Sequence, residues 1–328
     1  MCGTNPLFRA FFTSVLTSIL TTPKFLPHEY SEYVLPVVRD ESTAASQSPS
    51  NVAVEAAHAL AFRTGLGASL FAGPHHPVSL ESVKSFAKEA FTSSNIAVVG
   101  TGIDSARLAE LVDKALADAA LPTSSPVKTT PSKYSGGSTR IDLHEGPQTV
   151  FIGFGTTTPS PVLSVLSAHI APNQSLKWPS TPRPPATVTS VHLPYSDAVL
   201  TGVLVQGVNA KGVTEAAKAV VEKLKKPLST DELKIAVARA KFGAATAVEG
   251  REGLVEAIGG KVSYSEVFPR SAVGTDMLTV FPQIFSNADA SIESTLATLD
   301  KVDAATVSKV SAFRITRVFV AECLVSPS

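Results

Sequence analysis

The chain has 328 residues, 44% hydrophobic and only 17% charged, with 28 basic residues against 28 acidic ones. That length suffices for two domains with their own cores, and the even charge argues against the clustered basic surface that nucleic-acid binding requires. The two cysteines, Cys2 and Cys323, stand at opposite ends, which argues against a disulfide framework or a cysteine-based zinc site.

In residues 1–20, Leu7, Phe8, Phe11, Phe12, Val15, Leu16, Ile19 and Leu20 recur at helical steps. This pattern predicts an amphipathic core helix. The same stretch holds Arg9, several Ser/Thr and no acidic residue, the composition of a targeting segment, which is the competing reading. No run approaches the ~18 apolar residues of a membrane span.

Further on, Ser79 is placed to cap a helix whose inner face is Val83, Phe86, Ala87, Ala90 and Phe91. Asn95–Gly100 (NIAVVG) reads as a buried strand. Asp104 can cap the next helix, with Leu108, Leu111, Val112, Ala115 and Leu116 inward. Pro122–Ser138 is rich in Ser, Thr, Pro and Lys and poor in large apolar side chains, so it reads as an interdomain linker.

After it come strands at 149–155 (TVFIGFG) and 198–206 (AVLTGVLVQ), separated by a Pro-rich loop at Pro179–Ser190. A helix from Ala210 to about Lys226 follows. Ser229 and Glu232 form an S-x-x-E capping box, with Leu228 and Leu233 set for a hydrophobic staple, opening a helix to about Val248. A shorter helix ends at Gly259–Gly260. A last helix near 303–312 leads into a strand at Ile315–Ala321. Strands and helices mix without a regular βαβ beat, which predicts an α+β fold. Both halves end in a helix followed by a strand, as two related domains would.

Few residue groups suggest chemistry. Gly100 and Gly102 lie between a strand and a helix, but Ser105 occupies the third glycine position of a dinucleotide fingerprint. Glu55 and His58 stand one helical turn apart, a geometry able to hold a metal, yet no HxxEH, HxxxH or second ExxH supplies further ligands. His75 and His76 sit in a Gly/Pro loop, and His28, His144, His169 and His192 are isolated. No GxSxG or P-loop is present. The expectation is therefore no catalytic, cofactor-binding or metal-binding residue at all.

Three segments, KFLPHEYSEYVLPVV from Lys24, ALAFRTGLGASLF and VKSFAKEAFTSSNIAVVGTGID, occur in an order and spacing that resemble the core protein 2 family of ubiquinol–cytochrome c reductase (respiratory complex III). SLKWPS at 175–180, LPYSDAVLTGVLVQG at 193–207 and LSTDELKIAVARAKF at 228–242 continue the resemblance. It places the chain in the pitrilysin, or mitochondrial processing peptidase, superfamily.

The resemblance implies two related α+β domains: the C-terminal part of a first, incomplete domain over 1–121, a linker over 122–138 and a second domain over 139–328. Active members carry an H-x-x-E-H zinc motif early in the first domain, and this chain has none. The implied function is a non-catalytic structural core subunit of complex III, without a cofactor of its own. It would lie peripherally on the matrix side of the mitochondrial inner membrane, with the homologous core protein 1 as chief partner. The low charge content suits a surface partly covered by partners. Two rivals remain: an alpha-type, substrate-binding subunit of the processing peptidase, and a zinc-dependent subunit whose motif lies outside this sequence. The first is disfavoured because Gly155 to Gly202 contains no internal glycine, where that subunit has a glycine-rich loop.

Overall fold

The computed structural model describes residues 6–73, 78–92, 95–96, 98–100, 103–116, 121–122, 130–157, 160–170, 186–195, 197–250, 252–256, 259, 292–315 and 319–325. In chain order the first helices are α1 (Pro6–Thr21), α2 (Pro27–Glu29), α3 (Leu35–Gln47), α4 (Pro49–Phe62), α5 (Leu80–Ala90) and α6 (Ser105–Leu116). Strands β1 (Ser138–Leu143) and β2 (Gln148–Thr156), helix α7 (Pro161–Ile170), and strands β3 (Ala186–Pro194) and β4 (Val199–Gly207) follow. The chain continues through α8 (Ala210–Lys225), α9 (Thr230–Ala247), α10 (Ile292–Asp300) and α11 (Ala304–Ile315) to β5 (Phe319–Val325). It condenses into two compact units, one of Met1–Val37, His75–Thr129 and Thr246–Ser294, the other of Val38–Pro74, Thr130–Ala245 and Thr295–Ser328.

Among its described residues the first unit is helical. α1 forms where the periodicity predicts a helix, but it faces the other way. Phe11, Phe12, Val15, Leu16 and Ile19 are exposed, Leu16 by 62%, whereas Thr17 is 8% exposed and Thr13 and Thr21 are half-buried. The hydroxyls of Thr17 and Thr21 donate to the carbonyls of Thr13 and Thr17 at 2.8 and 2.9 Å. A hydroxyl satisfied by its own helix can be buried without loss, so this stripe is able to pack. The expectation of an apolar core face on this helix is thereby corrected.

Between α2 and α3, Tyr30–Val34 is π-helical, and the N–H of Leu35 donates to Tyr30 O, five residues back. Pro36 explains the widening. It has no N–H to give to Glu32 and its ring would crowd that carbonyl in a regular helix.

Two caps expected from sequence are present: Ser79 Oγ accepts from Ser82 N at 3.1 Å, and Asp104 Oδ1 accepts from Ala106 N at 3.0 Å. On α6, Leu108, Leu111 and Val112 are buried as expected. On α5 only Ala87 is buried and Phe86 is 70% exposed, against its expected inner position. Of Asn95–Gly100, the described residues form no strand. Apolar residues alone do not make a strand; it needs a neighbour for its backbone groups, and this unit has no described strand to offer one.

The second unit is built on a five-stranded sheet of order β1-β5-β2-β4-β3. β4 runs antiparallel to both its neighbours β2 and β3, β5 runs antiparallel to β2, and the edge strand β1 runs parallel to β5. Alternation along the strands gives the sheet two apolar faces. Val150, Ile152 and Phe154 of β2 join Val199, Val203 and Val205 of β4 in a cluster with Val162, Leu163, Val165 and Leu166 of α7 and Val213 and Val220 of α8. On the opposite face Phe151, Leu200, Leu204, Ala321 and Cys323 meet Ala53, Ala57, Ala61 and Phe62 of α4. Each fully buried Val, Leu or Phe contributes about 1.5–3 kcal/mol, so this sheet and its helices carry the main core.

Phe151 is fully buried and lies over Gly153 and Gly202, which face each other across β2 and β4. A Cβ on Gly202 would sit 2.7 Å from the Phe151 ring and 2.6 Å from Ile152 O. Glycine here makes room for an aromatic ring.

The capping box forms as expected. Glu232 N donates to Ser229 Oγ at 3.3 Å, and Ser229 N donates to Glu232 Oε2 at 3.0 Å. Leu228 is buried in the core and Leu233 packs against it. Three expectations shift. Residues 186–190, expected in a loop, are the start of β3, because the β-branched run Thr187-Val188-Thr189 pairs with Leu204–Gln206 of β4. Ile315 ends α11, and the last strand begins at Phe319, where its pairing with Gly153 starts. Thr130–Gly137, within the expected linker, is tied to this unit: Ser135 N and Gly136 N donate to Ala61 O and Leu60 O at 2.8 and 3.0 Å.

Candidate functional site

Polar groups inside the second unit collect around its histidines. Glu55 and His58 both lie on α4 but look in different directions. The Glu55 carboxylate accepts from Leu70 N at 3.1 Å and pins the loop after α4. His58 is buried, with Nδ1 2.7 Å from Val54 O and Nε2 2.6 Å from Tyr195 Oη. A carbonyl oxygen can only accept, so Nδ1 carries the proton and Nε2 accepts from the tyrosine. Both ring nitrogens are thus occupied by protein partners. The β3–β4 turn that brings Tyr195 in is itself fastened, because Asp197 Oδ2 accepts from Ser132 N at 2.7 Å.

On the opposite face of the sheet, His192 of β3 pairs across the strands with Thr201 of β4. Its Nδ1 lies 3.0 Å from Thr201 Oγ1, and its Nε2 lies 3.2 Å from Ser164 Oγ on α7. Burial pushes its pKa below the ordinary histidine value. A serine beside an imidazole has the outline of an activated nucleophile. The third member, however, is a neutral hydroxyl, which cannot balance the charge of an imidazolium.

At the end of α7, His169 is buried and its pKa is lowered by desolvation and then by the nearby Lys223 cation. Lys223 Nζ donates to the carbonyls of His169 and Ile170 at 2.6 and 3.3 Å, a cation placed on the last carbonyls of a helix. Cys323 is buried in β5, and burial raises its thiol pKa to about 11, which makes it a packing residue and a poor nucleophile.

The sequence-derived residues therefore fall into separate places. His28 and His144 are exposed, and Cys2, His75, His76 and Gly102 lie outside the described residues. A Cβ on Gly100 would meet Leu108 Cδ2 at 2.8 Å, so that glycine lets the chain pass close to α6. Among the described residues no group of three His, Cys, Asp or Glu side chains could hold a metal ion, and no helix is long and apolar enough to cross a membrane. In the sequence His169 and His192 stand isolated, and His58 has only Glu55 one helical turn away. Strand register brings Thr201 beside His192, whereas Tyr195 comes from a turn and Ser164 and Lys223 from helices, which only tertiary packing places.

Residues 77–171 match the model of the peptidase M16 inactive domain. The chain is 39% identical over 267 residues to cytochrome b-c1 complex subunit 2, mitochondrial, of Cryptococcus neoformans, covering 76% of this chain and 61% of that protein. The protein of the same name in Yarrowia lipolytica is 32% identical over 261 residues, covering 76% of this chain and 62% of that one. The chain thus spans about three fifths of the length of these relatives.

Among solved structures, complex III2 from Candida albicans contains a chain that superimposes with a TM-score of 0.66 at 14% identity, over 96% of this chain and 75% of that one. The crystal structure of the peptidase M16 inactive domain from Pseudomonas fluorescens gives a TM-score of 0.71 at 14% identity, over 98% and 76%. Over the stretch they share, the chain is similar to cytochrome b-c1 complex subunit 2 of these fungi, on an α+β fold of the inactive peptidase M16 type.

Proposed function

We propose that the chain acts as a non-catalytic structural core subunit of mitochondrial respiratory complex III. In this reading it supports assembly of the ubiquinol–cytochrome c reductase from the matrix side of the inner membrane, peripheral to the bilayer, and pairs chiefly with the homologous core protein 1. The observation that carries the reading is the 39% identity over 267 residues to a protein named as subunit 2 of that complex. The site chemistry agrees with it. His58 has both ring nitrogens engaged, and the Ser164–His192–Thr201 chain has no charged orienter. The two related domains would meet within residues 122–138, and limited proteolysis that cuts first in that stretch supports the boundary.

The test is a tagged copy of the chain expressed in a fungus deleted for its own subunit 2. The expected result is migration of the tag with the assembled, haem-bearing complex on a native gel and recovery of ubiquinol-dependent cytochrome c reduction. A tag that stays outside the complex and purifies with a soluble zinc peptidase overturns the reading in favour of a processing-peptidase subunit.

A further inference from the structure

We propose that the Ser164–His192–Thr201 chain is an acid-sensitive latch, holding α7 on the sheet only while the His192 ring is neutral. The geometry gives it this role. His192 stands on β3, its Nδ1 meets Thr201 Oγ1 of the neighbouring strand at 3.0 Å, and its Nε2 meets Ser164 Oγ of the overlying helix at 3.2 Å. One side chain thereby joins three elements. Each hydroxyl can donate or accept, so either tautomer of the neutral ring is satisfied. A protonated ring donates from both nitrogens. Both hydroxyls must then accept, and neither supplies the negative charge that a buried cation needs.

Among the described residues no carboxylate is placed on that ring, and α11, which also packs against α7, has only the exposed Lys309 as a charged group among its described side chains. β4 contains no titratable residue, and β3 contains none besides His192. α7 contains only His169, itself buried beside the Lys223 cation. On α8, Lys223 is committed to the carbonyls at the end of α7, and Lys211, Glu215, Lys218, Glu222 and Lys225 all stand at exposed positions. α7 is thus held near both ends, at Ser164 by His192 and at its last carbonyls by Lys223, and burial lowers the pKa of both His192 and His169.

The direction follows from proton linkage. The native state disfavours the charged ring, so the unfolded or undocked state binds more protons on acidification. The stabilisation is complete above the ordinary histidine value of about 6.5 and is lost as pH falls below it, towards the lowered native value. The apolar residues of α7 still favour docking, so the effect appears first as local opening of α7.

The test is amide hydrogen exchange of the full chain between pH 7.5 and 5.5, corrected for the intrinsic rate, compared with His192→Gln. Glutamine can bridge the two hydroxyls but cannot take up the charge. In the native chain the protection of residues 161–170 should fall on acidification, by at most about tenfold per pH unit for each titrating histidine. In His192→Gln the fall should be clearly smaller, with protection at pH 7.5 retained. An equal fall in both chains overturns the latch. Direct NMR titration of the His192 ring in the unmutated chain decides the matter even if the variant folds poorly: titration at or above the ordinary histidine value also overturns it.

Discussion

The hydroxyl of Tyr195 lies 2.6 Å from Nε2 of His58, although 137 residues separate them in the chain. The rings meet edge to face at 74° with centroids 5.8 Å apart. This bond ties α4 to the β3–β4 turn, while the Val54 carbonyl on Nδ1 sets the tautomer of His58.

Tyr195→Phe should therefore destabilise the second unit by about 1–3 kcal/mol, because it leaves a buried imidazole nitrogen without a donor. Urea unfolding of the full chain measures this. Replacing His58 by leucine as well should cost less than the sum of the two single changes, since both remove the same bond. Additive costs would show that the bond does not couple the two residues.

Gly202→Ala should cost about 1–3 kcal/mol or more by overpacking. Its new Cβ meets the Phe151 ring at 2.7 Å and a backbone carbonyl at 2.6 Å, and the second of these cannot swing aside. Combining it with Phe151→Leu relieves only the ring contact, so recovery in thermal unfolding should be partial.

Removing the hydroxyl of Ser229 should fray the start of α9. Ser229→Ala loses an N-cap acceptor, which costs about 0.5–2 kcal/mol. The hydrogen bonds from Ser229 hold the Glu232 carboxyl below its ordinary pKa. Stability from that cap is therefore present above the unfolded carboxylate value and is lost as pH falls through the native one. An NMR titration of Glu232 in Ser229→Ala should move only part of the way back towards the ordinary carboxylate value, because the backbone N–H of residue 229 still donates to it. An unmoved titration would show that the Ser229 hydroxyl has no share in the shift.

Cys323 should resist alkylation while the sheet is intact. With its pKa near 11, the thiolate at pH 8 amounts to about one part in a thousand. Peptide mass spectrometry after iodoacetamide should find Cys323 modified only when urea is present. Modification of the folded chain at the rate of a free thiol would contradict its buried placement.

Much of the fold was legible because its signals are local. The caps at Ser79, Asp104 and Ser229 depend on residues within one helical turn. β2 and β4 announce themselves as apolar runs because they lie inside the sheet with both faces covered. The edge strands were harder. β1 alternates half-buried with exposed residues, Arg140 and Asp142 among the exposed, and β3 emerges from a proline-rich stretch that reads as loop.

By itself, the amino-acid sequence determined the α+β class, the helix starts at Ser79, Asp104 and Ser229, the apolar strands β2 and β4 and the family resemblance, since each rests on short-range pattern or on ordered segments. Tertiary structure alone decided which faces are inside. α1 buries Thr17 and exposes Leu16, while Ile96, Val98 and Val99 lie in no strand. The same is true of the polar contacts, in which His58 meets Tyr195, and His192 meets Ser164 and Thr201. Periodicity states that a helix has an apolar side or that a segment prefers extension. Whether that side is covered, or that segment paired, depends on elements distant in sequence, and burial and hydrogen bonding exist only once those elements have met.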